Sequence, residues 1–586
     1  MELVHLKEAV NSSIDRALVN VFENQYMGTF WQGDIYYNAY PTAVAIITNK
    51  ILGITEPEWE SKAAHCIMGL QRRDGSWGIL DKQALPLPNL DEDKMEEMLE
   101  LKSAAARNTV VCILALELLD VYPECVAKGK EYMKTVDEKY IDPFTEIFLA
   151  CFGRKKWKDI KVPPIEMMLI PANSKFGFNR FLPAWVRDGA AGGILLKTLR
   201  QKKGLWSPIR RMAIKKAEKM LLNNQLSNGG WFGTFQPTVY PTLALAELGH
   251  DLNSDVIQRA LGFLQTRRRE ENGYVHRFWL PVWDTSFALL ALASAGLTDS
   301  NHNVAKAKYY IINSQFRNGS WGFCPEVNIY PDCDDTAVAM QALSKIGVNK
   351  DYLMKSAEWL ERRQNKDGGW AAFVKEQAKK TPGTLPTTIE DSMVILKDPS
   401  VADVTGHVMI ALGEVGYRVG HPSIDKAISF LKKDQLPSGP WYGRWGLCYI
   451  YAVTRVLKAL QVIGEDMNSD YVQKAIKWLV EHQNSDGGWG ECYVSYFKEE
   501  YAGIGMSTAV HTSWALTTLI SVAPKYSSAI EKGAKYILET QCKDGNWPSP
   551  HTVGALEVYE NTNYSRVFPL MALGEYRKFI SKGGDF

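Results

Sequence analysis

Apolar residues recur at three- and four-residue spacing over most of the chain. KSAEWLERR (355–363), AIKWLVEH (475–482) and TAVAMQAL (336–343) all have the period of a helix with a buried face. Runs that alternate apolar and polar residues, the pattern of a strand, are scarce. Turn-forming residues separate the helical segments, so the pattern predicts an all-α protein built of helical hairpins.

A short motif, Gln-x-x-Asp/Asn/Ser-Gly-x-Trp, recurs between these helices. Each copy follows one helical segment and precedes another, so the repeating unit is helix, glycine-rich loop, helix. We expect the Gln and Trp to tie each loop to its neighbours by an amide hydrogen bond and a buried ring, and the stacked units to form α/α toroids. The copies are QRRDGSWG (71–78), QLSNGGWFG (225–233), QFRNGSWGF (315–323), QNKDGGWAAF (364–373), QLPSGPWYG (435–443), QNSDGGWGE (483–491) and QCKDGNW (541–547).

Composition limits the class of partner. Of the 586 residues 46% are hydrophobic and the net charge is +1, so no overall field attracts nucleic acid. The nine cysteines include no Cys-x-x-Cys pair, which argues against a disulfide framework and a thiolate zinc site. The N-terminus lacks a cleavable apolar core, and apolar runs fall short of the about 20 residues of a membrane span. We expect a cytoplasmic protein with at most peripheral membrane contact.

The segment IYPDCDDTAVAMQAL (329–343) places three carboxyl groups within four positions at the start of a predicted helix. An Asp in this place commonly caps a helix by accepting backbone N–H bonds. Capping alone does not explain the density of Asp332, Asp334 and Asp335. Their mutual repulsion should keep at least one carboxyl protonated near neutral pH, and a neutral acid in an apolar pocket is a proton donor.

Two further segments carry candidate chemistry. VADVTGHVMIALGEVG (401–416) places His407 just inside a predicted helix, where a single histidine is more often structural. WYGRWGLCYIYAV (441–453) and FWLPVWDTSFALLAL (278–292) are rich in aromatic residues, which usually form core and can also line a cavity. A strong acid beside aromatic faces suits carbocation chemistry, in which each ring stabilises the cation by about 0.5–2 kcal/mol and water is excluded.

With these motifs the chain resembles the squalene–hopene cyclase and oxidosqualene cyclase family, the class II terpene cyclases. The likeness covers almost the whole chain and rests on the Gln–Trp repeats, DCDDTA, PVWDT, ADVTGH and YGRWGLCYIY. It implies two α/α barrels with an active cavity between them: an inserted barrel of residues 10–265, and a barrel of residues 1–9 plus 266–586 that carries the acids. It also implies that Asp334 donates the proton, that Asp332 and Asp335 tune it, and that His407 pairs with it.

The same resemblance places aromatic residues that contact the substrate or stabilise cations. Phe373 stands where bacterial squalene cyclases tend to carry tyrosine. The implied positions are Trp185, Trp283, Phe323, Phe373, Trp445, Tyr449 and Tyr564.

Two departures from the family pattern bear on the substrate. In HTVGALEVYENTNYSRVFPL (551–570), Val553, Glu557 and Asn561 occupy positions where the family has aromatic residues, so fewer successive cations should be stabilised. Between the Trp185 region and the next repeat, squalene cyclases carry a longer stretch with an apolar membrane-inserting helix. Here that interval is short and basic, which fits a water-soluble diphosphate, although its cations can equally form a solvated face or attract anionic lipid. They are Arg200, Lys202, Lys203, Arg210 and Arg211.

We therefore expect a class II cyclase that converts a C15 to C20 prenyl diphosphate into a bicyclic product, similar to a drimenyl diphosphate synthase. Squalene cyclised to a hopene-type product is the close alternative, and a prenylated aromatic is a third. Protonation needs no cofactor and no metal site, but Mg²⁺ can accompany a diphosphate. The protein is expected to be a monomer or homodimer.

Two interpretations that place the chain in other functional classes stay open. Protein prenyltransferase β subunits build a related barrel around a zinc held by Asp, Cys and His, a role that Asp334, Cys333 and His407 would have to take. A non-catalytic helical toroid is the other, and it gives no reason for the grouped acids. Ionisation-first cyclisation is disfavoured, since Val338 stands where a third Asp would follow the Asp334–Asp335 pair.

Overall fold

The computed structural model describes residues 3–36, 38–78, 102–137, 140–171, 184–201, 207–328, 330–373, 375, 398–496, 498–548, 553–554 and 558–582. These ranges are mostly helical, which confirms the predicted all-α class. They fall into two compact units. One comprises the described residues of Met1–Ile35 and Trp279–Phe586, the other those of Tyr36–Lys82 and Glu96–Phe278.

The unit of Tyr36–Lys82 and Glu96–Phe278 has two layers of helices. Its inner helices follow one another as neighbours and return to the first, in the order α2, α4, α6, α7, α9. Short 3₁₀ turns at Trp157–Asp159 and Ile165–Leu169 lie between α6 and α7. The described helices are α2 (Tyr40–Leu52), α3 (Pro57–Gly69), α4 (Lys102–Leu119), α5 (Pro123–Lys134), α6 (Pro143–Cys151), α7 (Ala184–Arg200), α8 (Pro208–Asn224), α9 (Phe235–Leu248) and α10 (Asp255–Thr266).

The other unit holds a closed ring of six inner helices. Each packs on the next and the last packs on the first, in the order α11, α13, α15, α17, α19, α21. An outer helix covers each gap of the ring, so this unit is an α/α barrel. The inner helices are α11 (Pro281–Ser294), α13 (Cys333–Lys345), α15 (Ala402–Glu414), α17 (Tyr449–Ile463), α19 (Ala509–Val522) and α21 (Tyr564–Ser581); the outer ones are α1 (Leu3–Glu23), α12 (His302–Asn313), α14 (Lys350–Arg363), α16 (Pro422–Asp434), α18 (Asp470–Glu481) and α20 (Ser527–Thr540).

The residue pattern explains which helices lie inside. In α13 every residue from Cys333 to Leu343 is buried, as expected for a helix with neighbours on all sides. The outer helix α18 buries Val472, Ala475, Ile476 and Leu479, which recur at three- and four-residue spacing, and exposes its charged face. Short strands complete the unit: β1 (Gln25–Tyr26) pairs antiparallel with β2 (Phe30–Trp31), and β4 (Val553–Gly554) with β5 (Val558–Asn561), while β3 covers Ile35–Tyr36.

The repeated loops fasten the hairpins as predicted. In the copy at 483–491, the Gln483 amide donates to the carbonyls of Gly487 at 2.8 Å and Ala529 at 2.9 Å, and the Trp489 indole donates to Leu479 O at 2.8 Å. In all seven copies the Gln makes the same two ties, one across the loop and one to the next outer helix, and the Trp indole donates back to the preceding helix, so the prediction for Gln and Trp is confirmed.

The units begin and end at other residues than the predicted barrels of 10–265 and 1–9 plus 266–586. The reason lies in α1, which the predicted boundary at residue 10 would cut. Gln541 donates to Ser13 O at 3.0 Å and Asn20 donates to Asp544 O at 3.1 Å, so the whole helix belongs with the barrel of α11–α21. The cavity expected between two barrels stays a prediction. Within the described ranges no helix is long and apolar enough to cross a membrane.

Candidate active site

The first turn of α13 separates the three predicted acids by role. Asp332 is the N-cap: its Oδ1 accepts the backbone N–H bonds of Asp334 at 2.6 Å and Asp335 at 3.1 Å. Capping therefore explains Asp332, while Asp334 and Asp335 project from the first turn and are 5% exposed. The structure thus leaves two carboxyl groups that have no capping role in a buried place.

Asp334 meets His407 although the two residues are 73 positions apart. Nδ1 of His407, on α15, lies 2.6 Å from Oδ1 of Asp334, and both side chains are buried. On the other side of the ring, Nε2 lies 3.2 Å from the hydroxyl of Tyr451 on α17. Three neighbouring inner helices therefore contribute one group each to a continuous hydrogen-bonded row.

Burial decides the charge of this row. It raises the pKa of Asp334 to about 8, with the charge of Asp398 adding to the rise and that of Arg455 opposing it. Burial likewise lowers the pKa of His407 to about 3. The close contact is therefore between a protonated carboxyl and a neutral imidazole near pH 7, not an ion pair, because a dry site penalises both charges.

The neutral forms fit two arrangements of protons. In one, the Asp334 carboxyl donates to Nδ1 of His407 and Nε2–H donates to the Tyr451 hydroxyl; in the other, Tyr451 donates its O–H to Nε2 and Nδ1–H donates to Oδ1 of Asp334. The second is the arrangement of a proton donor, because it leaves the acidic proton free for a substrate. The acidic proton of Asp334 then sits on Oδ2, outside the row. A hydrogen bond to Oδ1 stabilises the carboxylate that remains when this proton leaves, so His407 makes Asp334 the stronger donor.

Asp335 and Asp332 form a second carboxyl pair. Burial raises the pKa of Asp335 well above its ordinary value, and the neighbouring Asp332 raises it further. Burial and the charge of Asp334 raise the pKa of Asp332 to about 8, while the hydrogen bonds it accepts act in the opposite direction. These acids hold protons beside the donor, as two carboxyl groups in one dry site must.

Aromatic rings pack around His407 and Tyr451. The ring of Trp283 lies 5.8 Å from that of His407, and Trp514 lies 4.7 Å from Tyr451. Trp283 also donates from Nε1 to the hydroxyl of Tyr564 at 2.7 Å, which fixes both rings. Further edge contacts of 4.9 to 6.4 Å join Phe287, Trp514, Tyr564 and Phe568.

A second pair of predicted rings is held by two buried acids. Phe373 and Trp445 meet edge to face at 5.8 Å. Asp398 accepts the backbone N–H of Phe373 at 2.6 Å, and Asp403 accepts that of Trp445 at 2.8 Å. Phe323 lies outside α11 but beside its first turn, where the Phe323 carbonyl accepts a hydrogen bond from the backbone N–H of Val282 at 3.1 Å.

Two residues that the sequence predicts to contact substrate are not placed beside Asp334 by the structure. Tyr449 begins α17 and packs at 5.9 Å on Tyr442, outside the row of Asp334; its hydroxyl is buried with no partner in the described part of the chain. Trp185 falls within α7, but its side chain lies outside what the structure describes. The role of Trp185 stays a prediction.

Asn561, one of the C-terminal positions where the family has an aromatic residue, makes a buried hydrogen bond instead. Its amide donates to Oδ1 of Asp284 at 2.8 Å, while Oδ2 of Asp284 accepts the N–H of Gly33 at 2.8 Å. The position that lacks an aromatic ring therefore joins β5 to α11, beside Trp283. Glu557 and the side chain of Val553 lie outside the described residues.

The basic interval contains ion pairs. Arg200 contacts Glu247 at 2.7 Å and Arg210 contacts Glu166 at 2.7 Å. Lys202 and Lys203 lie outside the described residues, and Arg211 is exposed. Two of the five cations are thus neutralised within the chain, which weakens the interpretation of this interval as a diphosphate entrance.

Sequence reasoning missed several site residues. Tyr451 was recognised only as one of a group of rings, and Phe287 and Trp514 carried no local signal beyond their helical spacing. Phe568 was noted as an aromatic residue that remains in the C-terminal segment, without a place in the site. Asp403 was missed although it stands in ADVTGH, four positions before His407. Among the described residues, no group of three His, Cys, Asp or Glu side chains is arranged to hold a metal ion.

Comparison with known proteins identifies the family of this chain. The squalene-hopene cyclase C-terminal domain model matches residues 279–578, and the N-terminal domain model matches residues 193–272. The chain therefore belongs to the squalene–hopene cyclase family of class II terpene cyclases, enzymes that close rings by isomerisation. The family match favours cyclisation over protein prenylation and over a non-catalytic toroid.

Relatives and a solved structure span the whole chain. A squalene–hopene cyclase of Alicyclobacillus acidocaldarius is 28% identical over 643 aligned positions, which cover 97% of this chain and 98% of that enzyme. A dammaradiene synthase of Dryopteris crassirhizoma is 26% identical and covers 98% of this chain and 94% of its own. The structure of ent-copalyl diphosphate synthase from Streptomyces platensis has a TM-score of 0.57 at 16% identity, over 97% of this chain and 99% of that one, and shows the shared fold.

Proposed function

We propose that this enzyme protonates a terminal double bond of a linear isoprenoid with Asp334 and so starts ring closure. The O–H bond at Oδ2 breaks, a C–H bond forms at the alkene, and the cation is attacked in turn by the next double bonds. The cascade ends by loss of a proton or by capture of water. Asp332 and Asp335 tune the donor, and His407 pairs with it.

The contact between Asp334 and His407 is the observation that carries this proposal. A buried carboxyl with its pKa raised to about 8 holds a proton at neutral pH, and the neutral imidazole 2.6 Å away donates to its other oxygen. Such a group carries a proton at neutral pH and can release that proton to a substrate. A structural N-cap requires neither property, and Asp332 already serves as the cap.

The aromatic rings support the later steps. Each ring face stabilises a nearby cation by about 0.5–2 kcal/mol, more where water is excluded. Trp283, Phe373, Trp445 and Tyr564 are proposed to act in this way, with Phe323 shaping the site. The proton transfer itself needs no cofactor, and Mg²⁺ would enter only with a diphosphate group of the substrate.

We propose a C15 to C20 prenyl diphosphate as the substrate and a bicyclic diphosphate as the product. Support comes from Asn561, which is tied to Asp284 where an aromatic ring would assist a late closure. The enzyme is proposed to act in the cytoplasm as a monomer or homodimer, with at most peripheral membrane contact.

Cyclisation of squalene is a second candidate. The full-length alignment with an enzyme named squalene–hopene cyclase, over 97% of this chain and 98% of that one, favours it. The two candidates share the donor and differ in the length of chain that must fold in the site.

The test is product analysis by mass spectrometry. Purified enzyme is offered squalene, farnesyl diphosphate and geranylgeranyl diphosphate separately, alongside Asp334→Asn and a control, Asp351→Asn, which changes an exposed Asp in the first turn of α14. We expect a cyclic diphosphate from the wild type and the control and none from Asp334→Asn. Polycycles from squalene alone would overturn the substrate but keep the donor, and equal products with and without Asp334 would overturn the mechanism.

A further inference from the structure

A cation lies directly behind the proton-donating row. Arg455 stands one helical turn after Tyr451 on α17, and its guanidinium carbon lies 5.4 Å from the centre of the Tyr451 ring. Tyr451 contacts His407, which contacts Asp334. The positive charge therefore lies against Tyr451, at the end of the row away from Asp334.

This cation has no hydrogen-bond or ion-pair partner among the described residues. Its guanidinium makes neither a hydrogen bond nor an ion pair with a described residue, and its Nε is buried without an acceptor. Arg268, whose side chain is 6% exposed, shows the usual solution, since its guanidinium pairs with Glu56 and Asn49. The Arg455 side chain is partly buried, and a charge that loses water without gaining such a pair destabilises the fold, so packing alone does not account for its presence.

Acidic groups and tyrosines otherwise dominate the surroundings of Asp334. Arg455 is the guanidinium that acts on Asp334, where it opposes the effect of burial, and it also lowers the pKa of His407. Its own pKa is lowered by burial, but an arginine remains charged at any pH at which the protein is folded. The other titratable groups facing Asp334 are Asp332 and Asp335 on α13, Asp398 before α15, Asp403 and His407 on α15, and Tyr451 on α17.

We propose that Arg455 is a positioning residue of the proton donor: it stabilises the Asp334 carboxylate that is left after proton transfer. This role rests on the proposed function. Without the cation, Asp334 would hold its own proton more tightly.

The test compares Arg455→Met, Arg455→Lys and a matched control, Lys458→Met. Lys458 lies on the same helix and is bound to Ser521 and Gln461 instead of facing the row. The C=O stretch of protonated Asp334 is followed by infrared difference spectroscopy against pH, with Asp334→Asn as the subtracted reference, and the pH–rate profile is recorded in parallel.

We expect the titration midpoint of Asp334 to rise by about one unit in Arg455→Met, to return most of the way in Arg455→Lys and to stay in place in Lys458→Met. The rate plateau should fall about tenfold in Arg455→Met while its alkaline limb moves to higher pH. The urea midpoint should not fall, since an unpaired charge has been removed. An unshifted titration midpoint, or a loss of stability with an unshifted alkaline limb, would overturn the proposal.

The infrared titration needs no turnover, so it separates this inference from the proposed function. A shift of Asp334 in an enzyme that cyclises none of the substrates would keep the coupling and reject the function. Turnover that depends on Asp334 but not on Arg455 would keep the proposed function and reject the role of Arg455.

Discussion

The hydroxyl of Tyr451 lies 3.2 Å from Nε2 of His407, on the opposite side of the imidazole from Asp334. A Tyr451 hydroxyl that donates to Nε2 favours the neutral tautomer of His407 with its N–H at Nδ1, 2.6 Å from Oδ1 of Asp334. The tyrosine therefore orients the donor without touching it.

Tyr451→Phe should lower kcat about tenfold with little change in KM. The variant keeps the ring that packs on Trp514 at 4.7 Å but removes the O–H, so His407 can adopt the tautomer that leaves Asp334 without its Nδ1–H bond. Steady-state kinetics on the substrate identified above measure the effect. A rise in KM alone would show that Tyr451 binds substrate instead.

Tyr449→Phe is the companion variant, two positions earlier. The Tyr449 hydroxyl has no partner among the described residues, and its ring packs on Tyr442. We expect kcat within about twofold of wild type and equal or greater stability, because a buried hydroxyl without a partner is removed. A large loss of activity would instead support Tyr449 as the substrate contact that the sequence predicts.

The pH–rate profile should fall on its alkaline side. Asp334 must carry its proton to act, and its pKa is raised to about 8 by burial, so kcat should be level near pH 7 and decline with one proton above about pH 8. His407, with its pKa lowered to about 3, should produce no acidic limb between pH 5 and 7. A profile that rises with pH across this range would mean that ionised Asp334 is the working form.

The same raised pKa links Asp334 to stability. Its ordinary value is about 3.9, so between about pH 4 and 8 the folded state holds a proton that the unfolded chain releases. Stability from this group is therefore present at low pH and is lost as pH rises through that window. Asp334→Asn lacks this pH-dependent loss of stability. Its urea midpoint should therefore rise relative to that of the wild type as the pH increases from 5 to 8. A constant difference between the two proteins would contradict the assignment.

The sequence predicts what depends on short spacing. The Gln–Trp repeats fix both ties of each loop within one motif, and the three acids are grouped within four residues. One further copy escapes the motif: Gln25 donates to Asn303 O at 3.1 Å and Trp31 to Val21 O at 2.7 Å, as in the repeats, although Gly28 and Thr29 replace the Asp/Asn/Ser-Gly pair.

Contacts between distant helices could not be derived from residue patterns. His407 is 73 positions from Asp334, and only family resemblance paired them. The choice between Tyr449 and Tyr451 depends on where α17 begins and how it is rotated, because residues two apart face different sides of a helix. The bond from Asn561 to Asp284 spans 277 positions, so the sequence shows a missing ring there and not the amide's role.

Gly33→Ala tests the rigidity of the cluster that Asn561 completes. A Cβ at residue 33 would overlap Oδ1 of Asn561 and lie 2.9 Å from the backbone N of Asn563, while the Gly33 N–H is held by Asp284. The Asn561 side chain is held by its bond to Asp284 and the Asn563 N is backbone, so neither can yield easily, and we expect a loss of about 1–3 kcal/mol in the free energy of unfolding. Reduced kcat should accompany it, since Asp284 and Tyr564 flank the cluster and Trp283 bonds to Tyr564.

Gly262→Ala is the matched control for this glycine. Gly262 lies inside α10, and a Cβ there meets nothing within 4 Å, so the change should leave activity intact and stabilise the helix by about 0.5–1 kcal/mol. If the buried cluster is rigid, the change in the free energy of unfolding, measured with urea, has opposite signs in the two variants. Equal stabilities would mean that β5 and the Gly33 segment move apart freely, and Asn561 would then be no fixed support for Trp283 and Tyr564.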